Sequence, residues 1–214
     1  RPRMGGIGVR YLEMARHLAE GGRREVQLIA PSRPEEAADL LPPGLRFREF
    51  SLASLRDDLT GSAAIVAQGQ LANDVLLARP AAPVAIDLYD PFLIEHLHYL
   101  ESLGLDPYRN DHATWVLQLS RGDFFLCSSE EQRLYYLGFL TALGRVNPER
   151  AAADVELRGL IDVVPFGLPA ELPARRRLLP EAGAGVRRLL FGALYDLYEP
   201  ETLLDALELL EGFD

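Results

Sequence analysis

The feature that most constrains this chain is an alternation of short apolar stretches with segments of helical periodicity. Most of the stretches are apolar on both faces, as the strands of a parallel sheet are when helices cover both of its sides. The pattern predicts strands over residues 25–30, 45–50, 63–67, 83–88, 123–127 and 160–165. A chain that alternates strands with helices in this way is expected to form an α/β fold with a doubly wound parallel sheet.

Helical patterns fill the intervals between these strands. They cover residues 7–20, 34–41, 51–59, 70–78, 91–104, 107–120, 128–143 and 147–153. Gly21 and Gly22 end the first helix. The helix that opens within residues 128–132 has a well-specified start, because both Ser128–Glu131 and Ser129–Gln132 match the spacing of a capping box.

Composition and charge exclude several classes of function. A net charge of −10 argues against general nucleic-acid binding, which needs a basic face. The single cysteine, Cys127, allows no internal disulfide and is expected to be a buried strand residue. His96 and His98 are two positions apart on a predicted helix and point in different directions, so they offer poor geometry for one metal ion. We therefore expect no metal, no cofactor and no nucleic-acid partner.

A glycine-rich turn runs directly into the first helix. Gly5, Gly6 and Gly8 lie where the turn becomes helical. Glycines allow a ligand to approach the main chain closely, and a helix start directs free N–H groups and a positive dipole end toward it. Sites of this kind hold phosphates, although glycine at a helix start is also common in ordinary tight turns. Arg10 follows, either as a ligand for a phosphate or carboxylate or, with Glu13, as part of a solvated surface pair.

Several polar residues follow predicted strands, where ligands bind in α/β sheets. Asp87 and Asp90 come at the end of the fourth predicted strand. Asp87 is our candidate catalytic residue, as a base or as a partner for a sugar hydroxyl. Asp90 has two interpretations, a ligand contact or the N-cap of the helix that begins at Pro91. Ser128 and Gly167 follow the next two strands and are candidates for ligand contacts.

The composition changes after residue 167. Residues 168–187 carry prolines, three adjacent arginines and glycines, which is typical of a linker. Residues 188–214 then begin a second unit, with a predicted strand over 188–192, a loop and a helix. Residues 1–167 are therefore expected to be the first domain.

One element of the predicted sheet is missing. The glycine turn should follow a strand, but only four residues precede it. That strand is central in the common doubly wound order, and without it two neighbouring strands lack backbone partners. Either residues precede Arg1 in the natural protein or the turn has another role. Because both ends of the chain look cut, we expect an excerpt of a longer protein.

Several segments of the chain together resemble the B-type glycosyltransferases, which pair two Rossmann-like domains around a cleft. The similarity is to the group 1 family, which includes bacterial cell-surface polysaccharide glycosyltransferases, and it covers nearly the whole chain. The segments are residues 2–11, 87–91, 126–133, 144–148, 163–167 and 192–206. The resemblance implies a Rossmann-like acceptor-side domain and the start of a donor domain, which together should be inactive without the rest of the donor domain.

The resemblance also implies a function. It implies a glycosyltransferase, of retaining type, that moves a sugar from a nucleotide-sugar donor to a sugar or lipid-linked acceptor in polysaccharide or glycolipid biosynthesis. It implies a cytoplasmic enzyme that can associate peripherally with the inner face of the membrane. Gly5, Gly6 and Gly8 would approach the donor diphosphate or the acceptor, and the segment from Asp87 to Asp90 would shape the acceptor side. The loop after Gly192, with Tyr195 and Asp196, would face the donor phosphates.

Two departures from the family pattern leave alternatives open. Ala193 and Leu197 stand where relatives often have glycine and tryptophan, and the chain ends before the glutamate pair that grips the nucleotide in the family. A second interpretation is therefore a non-catalytic Rossmann-like binding or regulatory domain. A third, a Rossmann dehydrogenase, is less favoured, because Tyr11 stands where the third glycine of Gly-x-Gly-x-x-Gly belongs.

Overall fold

The protein is described by a computed structural model that covers residues 5–31, 41, 44–167, 183, 185, 187–192 and 198–209. The chain folds as two compact units. The first contains residues 1–90 and 112–166, and the second contains residues 91–111 and 167–214. The domain boundaries predicted from the sequence stay a prediction.

The first unit alternates strands with helices. Its elements in chain order are α1 (Gly6–Ala19), a 3-10 turn (Glu20–Gly22), β1 (Val26–Ala30), β2 (Leu45–Glu49), α2 (Leu55–Leu59), β3 (Ile65–Ala67), α3 (Gly69–Ala78) and β4 (Val84–Asp87). The predicted helices 7–20 and 70–78 are confirmed, whereas the predicted helix 51–59 begins only at Leu55. The predicted helix 34–41 lies almost entirely outside the described residues.

The chain continues through several short helices to the second half of the first unit. The elements are α4 (Phe92–Glu95), a 3-10 turn (His96–Tyr99), α5 (Leu100–Leu103), α6 (Leu105–Arg121), β5 (Phe124–Cys127), α7 (Glu130–Ala142), α8 (Pro148–Ala153) and β6 (Ile161–Val163). Ser129 caps α7 by accepting a hydrogen bond from the Gln132 N–H, and Asn147 caps α8 in the same way. Both starts follow from local side-chain chemistry.

The described residues of the first unit contain six strands, which form two parallel sheets. β1 pairs with β2, and β3, β4, β5 and β6 pair in that order. Every pairing is parallel, with Ala85 opposite Phe124 and Phe125 opposite Ile161 in the larger sheet. An α/β fold with parallel sheets is therefore confirmed, whereas the Rossmann-like architecture of two domains stays a prediction.

The described strands are divided between two sheets, and the doubly wound arrangement stays a prediction. In that arrangement the strand ahead of the first helix is central and joins the two halves of the sheet. The described part of the chain has no strand ahead of α1, so β1 and β3 each keep one edge without a strand partner. The separation into two sheets follows from this missing neighbour.

The hydrophobic core of the first unit lies around the larger sheet. Ile86, Phe125 and Ile161 are fully buried on three adjacent strands. Tyr136 and Leu140 of α7 are also fully buried. Burial on both faces explains why most residues of these strands are apolar, with Asp87 and Asp162 as exceptions. It also fixes the carboxyl ends of β4, β5 and β6 side by side at one edge.

The second unit is helical in its described residues. It holds α4, the 3-10 turn, α5, the beginning of α6, and a final helix, α9 (Pro200–Glu208). The predicted strand over 188–192 is wrong, since residues 187–192 contain no strand and Leu190 is 96% exposed. A single strand gains no ladder hydrogen bonds without a neighbour, which explains the difference.

Candidate functional site

An ion pair joins the first helix to the end of a strand 77 residues away. Arg10 Nε lies 2.7 Å from Asp87 Oδ2, and Arg10 Nη2 lies 3.0 Å from Asp87 Oδ1. The two side chains are 2% and 0% exposed, so the pair is buried. Asp87 is the last residue of β4. The bidentate pair therefore places the start of α1 at the carboxyl edge of the larger sheet.

Two aromatic rings flank the Arg10 guanidinium. Its central carbon lies 5.2 Å from the ring centroid of Tyr89 and 5.0 Å from that of Phe166. The two rings meet edge to face, with centroids 5.4 Å apart. Tyr89 follows β4, and Phe166 follows β6 with 54% of its surface exposed. Cation–π attraction and burial together fix the guanidinium in one orientation.

Gln132 connects the loops that follow β4 and β5. Its Nε2 donates a hydrogen bond to the Tyr89 carbonyl over 2.9 Å. Its Oε1 accepts hydrogen bonds from both the backbone N–H and the hydroxyl of Ser128, at 2.9 Å and 2.8 Å. Ser128, a predicted site residue, is thus engaged within the protein. We call Arg10, Asp87, Tyr89, Ser128, Gln132 and Phe166 the carboxyl-edge cluster.

Two buried tyrosine hydroxyls lie near this cluster. The hydroxyls of Tyr11 and Tyr136 are buried and make no hydrogen bond within the described part of the chain. Burial, followed by the nearby Asp87 carboxylate, raises the pKa of Tyr11. Burial also raises the pKa of Tyr136, with smaller contributions from Tyr135 and Asp90. Both phenols are therefore neutral, and they offer protons beside a carboxylate-rich strand end.

Gly5 and Gly6 at the start of α1 are not required by the packing of the described residues. Gly5 adopts an extended conformation with φ −73° and ψ 170°, which any residue can take. A Cβ atom at Gly5 or Gly6 would meet nothing within 4 Å. No described side chain caps this helix, and its first turn carries no acidic residue. The start of α1 thus combines open space with backbone N–H groups that lack helical partners.

The remaining predicted site residues have different outcomes. Asp90 is half-buried and does not cap the following helix, because the helix is capped at Pro91 without a side-chain hydrogen bond. Pro91 occupies the cap position itself, which displaces Asp90 one residue outward. Gly167 follows Phe166 and is exposed, as is Gly192. Tyr195 and Asp196 lie outside the described residues, as do Ala193 and Leu197.

The alternative interpretation of Arg10 as a solvated partner of Glu13 is wrong. Arg10 is 5% exposed and pairs with Asp87, whereas Glu13 pairs with Arg16 at 3.1 Å on the surface. Cys127, by contrast, is a fully buried strand residue as predicted. Burial raises the pKa of its thiol to about 11, so the thiol is protonated and unreactive near neutral pH.

Two cavities lie away from the carboxyl-edge cluster. A cavity of about 540 Å³ lies between Arg56 and Arg79 at the amino ends of β3 and β4, opposite the carboxyl-edge cluster. A second, of about 460 Å³, contacts Arg23 and Gly44 at the amino ends of β1 and β2.

No group of three or more His, Cys, Asp and Glu side chains in the described residues could hold a metal ion. No described helix has the length and apolarity that crossing a membrane requires.

Sequence reasoning missed several members of the carboxyl-edge cluster. The sequence assigns Gln132 to a helix cap, yet its side chain also connects two loops. Tyr89 and Phe166 follow strands, which is a usable signal, but nothing in the sequence indicates that both flank Arg10. The sequence also does not indicate that Arg10 pairs with Asp87, which lies 77 positions away.

Comparison of the chain with protein-family models, with curated proteins and with solved structures found no match.

Proposed function

We propose that this chain is the acceptor-side part of a sugar-nucleotide-dependent glycosyltransferase, related to the group 1 family of B-type enzymes. One observation carries the proposal: segments that carry the family resemblance converge on one edge of a parallel sheet. Arg10, Asp87, Ser128 and Phe166 come from four such segments and belong to the carboxyl-edge cluster. Ligand sites of α/β sheets lie beyond this edge.

The start of α1 supports a role in binding an anion. Among the described residues, nothing packs against Gly5 and Gly6, so a ligand could reach the backbone at the start of the helix. Free N–H groups and the positive end of the helix dipole would stabilise the charge of a leaving diphosphate. No nucleic acid, metal or further cofactor is needed for this reaction, in which the nucleotide-sugar is a substrate.

Within this proposal Asp87 positions Arg10 rather than accepting a proton. Both carboxylate oxygens of Asp87 are engaged by the guanidinium, and its side chain is 0% exposed. A general base needs an oxygen within reach of the substrate proton. Asp87 instead holds Arg10, and with it the glycine turn, against the ends of β4 and β6.

The test is a transfer assay on the polypeptide at its natural length, with a panel of nucleotide-sugars and with sugar and lipid-linked acceptors. We expect release of a nucleoside diphosphate coupled to glycosylation of one acceptor. In that protein Gly6→Val should reduce kcat/KM at least tenfold without lowering the melting temperature, because its side chain enters open space where the ligand lies. Gly138→Ala on the exposed face of α7 is the matched control and should leave turnover unchanged.

Absence of turnover and of nucleotide-sugar binding would refute the proposed function. A second candidate is a non-catalytic binding or regulatory domain, and the pairing of Asp87 with Arg10 favours it, because the guanidinium engages both oxygens of the candidate catalytic carboxylate. Calorimetry separates the two. Binding of a nucleotide-sugar without transfer supports the regulatory domain, whereas transfer supports the enzyme.

A further inference from the structure

A half-exposed aromatic ring stands at the carboxyl edge of the larger sheet. Phe166 follows the end of β6, and 54% of its surface is exposed. Single exposed apolar side chains are common on protein surfaces and need no explanation. Phe166 differs from them, because the Arg10 guanidinium lies 5.0 Å from its ring centroid and the Tyr89 ring meets it at 5.4 Å. The ring is therefore held in place and open to solvent at the same time.

The buried ion pair behind this ring keeps it in one orientation. Both oxygens of Asp87 hold Arg10, and the two side chains are 2% and 0% exposed. Because the guanidinium is fixed, Phe166 keeps its cation–π contact only in one position. A side chain that is already ordered loses little entropy when a ligand covers it. The ring thus has the rigidity that a binding platform requires.

A carboxylate without an internal partner lies next to these rings along the chain. Asp90 directly follows Tyr89, whose ring contacts Phe166, and consecutive Cα atoms are about 3.8 Å apart. Asp90 is half-buried and makes no hydrogen bond with the described residues. Burial of a carboxylate costs free energy unless hydrogen-bond donors replace the lost water. In contrast to those of Asp87, the oxygens of Asp90 are available to donors on a ligand.

The ring and the carboxylate together match the chemistry of a neutral sugar. One face of a pyranose presents C–H groups that pack against an aromatic ring, and its rim carries hydroxyls that donate to a carboxylate. An anion in contact with Asp90 is disfavoured, because like charges repel. A cation at the open face of Phe166 is also disfavoured, because the Arg10 guanidinium already lies over the ring. A neutral sugar meets neither objection.

We propose that Phe166 stacks against a neutral sugar of the acceptor and that the Asp90 carboxylate accepts hydrogen bonds from acceptor hydroxyls. The inference rests on the proposed glycosyltransferase function and names the substrate class of its acceptor side. Phe166, Asp90 and the residues that hold the ring all belong to the first unit. The acceptor is thus recognised through its sugar rather than through a lipid. Both residues determine specificity and take no part in bond breaking.

The first test measures sugar binding by this chain. The probes are the methyl pyranosides of glucose, galactose and mannose, followed by NMR through amide signals near Phe166 and Asp90. At least one probe should bind with a Kd of about 1–50 mM. Phe166→Leu keeps an apolar side chain without a flat ring and should raise this Kd about fivefold, whereas Phe166→Tyr should keep it within about twofold. Absence of binding by all three probes at about 100 mM overturns the inference.

Matched variants test the carboxylate and the specificity of the effect. Asp90→Asn keeps the size of the side chain but removes its charge, so Kd should rise about tenfold. Asp74→Asn is the control, because Asp74 on α3 is also half-buried without a hydrogen bond to the described residues and lies away from the strand end. Phe139→Leu on α7 is the control for the ring, since Phe139 is 38% exposed. Equal effects of the site and control variants overturn the inference.

The second test uses the polypeptide at its natural length and separates the inference from the proposed function. Phe166→Leu should raise the KM for the acceptor about fivefold with kcat and the KM for the nucleotide-sugar nearly unchanged. Transfer with an unchanged acceptor KM in Phe166→Leu and Asp90→Asn overturns the inference and leaves the glycosyltransferase proposal intact. A rise confined to the KM for the nucleotide-sugar also overturns it. Sugar binding without any transfer refutes the glycosyltransferase and leaves the sugar site standing.

Discussion

Replacing Arg10 by methionine should cost a large part of the stability of the first unit. Arg10→Met keeps an unbranched apolar chain between the rings of Tyr89 and Phe166 but leaves the Asp87 carboxylate buried without a counterion. Removing one partner of a buried, hydrogen-bonded ion pair typically costs about 3–5 kcal/mol. Domains of this size lose about 2–4 °C of melting temperature per kcal/mol. A decrease of roughly 6–20 °C is therefore expected.

The magnitude follows from the contacts that the substitution removes. The two hydrogen bonds of 2.7 Å and 3.0 Å join charged groups, and bonds of this kind contribute about 1.5–3 kcal/mol each. Contact with the two rings adds about 0.5–2 kcal/mol per ring. The net loss is smaller than this sum, because burial of the guanidinium itself costs free energy that methionine does not require.

Urea unfolding followed by Trp115 fluorescence measures the effect. Trp115 is the single tryptophan and is buried in the first unit, so its emission reports on the fold around the cluster. Arg16→Met provides the control, because Arg16 pairs with Glu13 at 3.1 Å on the surface and such pairs contribute about 0–1 kcal/mol.

A double-mutant cycle shows whether the two buried charges are coupled. Arg10→Met combined with Asp87→Leu removes both charges, so the double variant should be more stable than either single variant, with a coupling energy above about 2 kcal/mol. The reasoning is refuted if Arg10→Met costs less than about 1 kcal/mol. It is also refuted if the two single losses add without coupling.

Three further variants test local features of the fold. Gly122→Ala should destabilise the protein by about 1–3 kcal/mol in urea unfolding, because the new Cβ would lie 2.7 Å from Ile86 Cγ1. Gly138→Ala, which has open space on α7, should instead stabilise the protein by about 0.5–1 kcal/mol. The opposite ranking of the two variants would contradict the packing. Ser129→Ala should cost about 1 kcal/mol in the same assay through loss of the α7 cap; no loss would mean that the cap contributes nothing. Burial raises the pKa of the Cys127 thiol to about 11, so the thiol of the unfolded chain ionises at lower pH than that of the folded chain. The free energy of unfolding should therefore fall between pH about 8.5 and 11. Melting temperatures across this range should fall less steeply in Cys127→Ala, and equal slopes would exclude the thiol as the cause.

The elements that sequence reasoning predicted correctly depend on local chemistry. The start of α7 at Ser129 is set by a hydroxyl and a glutamine three residues apart, and the end of α1 is set by Gly21 and Gly22, which both take positive φ. The strands of the larger sheet are recognisable because burial on both faces favours apolar residues at most of their positions. In each case the signal and its physical cause lie within a few residues of one another.

The predictions that were wrong concern partners rather than elements. The strand predicted over residues 188–192 has apolar composition but gains no ladder, and Leu190 is exposed instead. Asp90 has the right residue type for a cap, but Pro91 takes that position. Composition indicates what a segment could pair with, and not whether the partner is present.

The Arg10–Asp87 pair also limits what chemistry the carboxyl-edge cluster can perform. A carboxylate at a strand end in an α/β sheet invites assignment as a base, and its position in the sequence supports that prediction. Its geometry argues otherwise, because a bidentate guanidinium occupies both oxygens and neutralises the charge. Proton transfer at this edge would first require the pair to open, at a cost comparable to the loss expected for Arg10→Met.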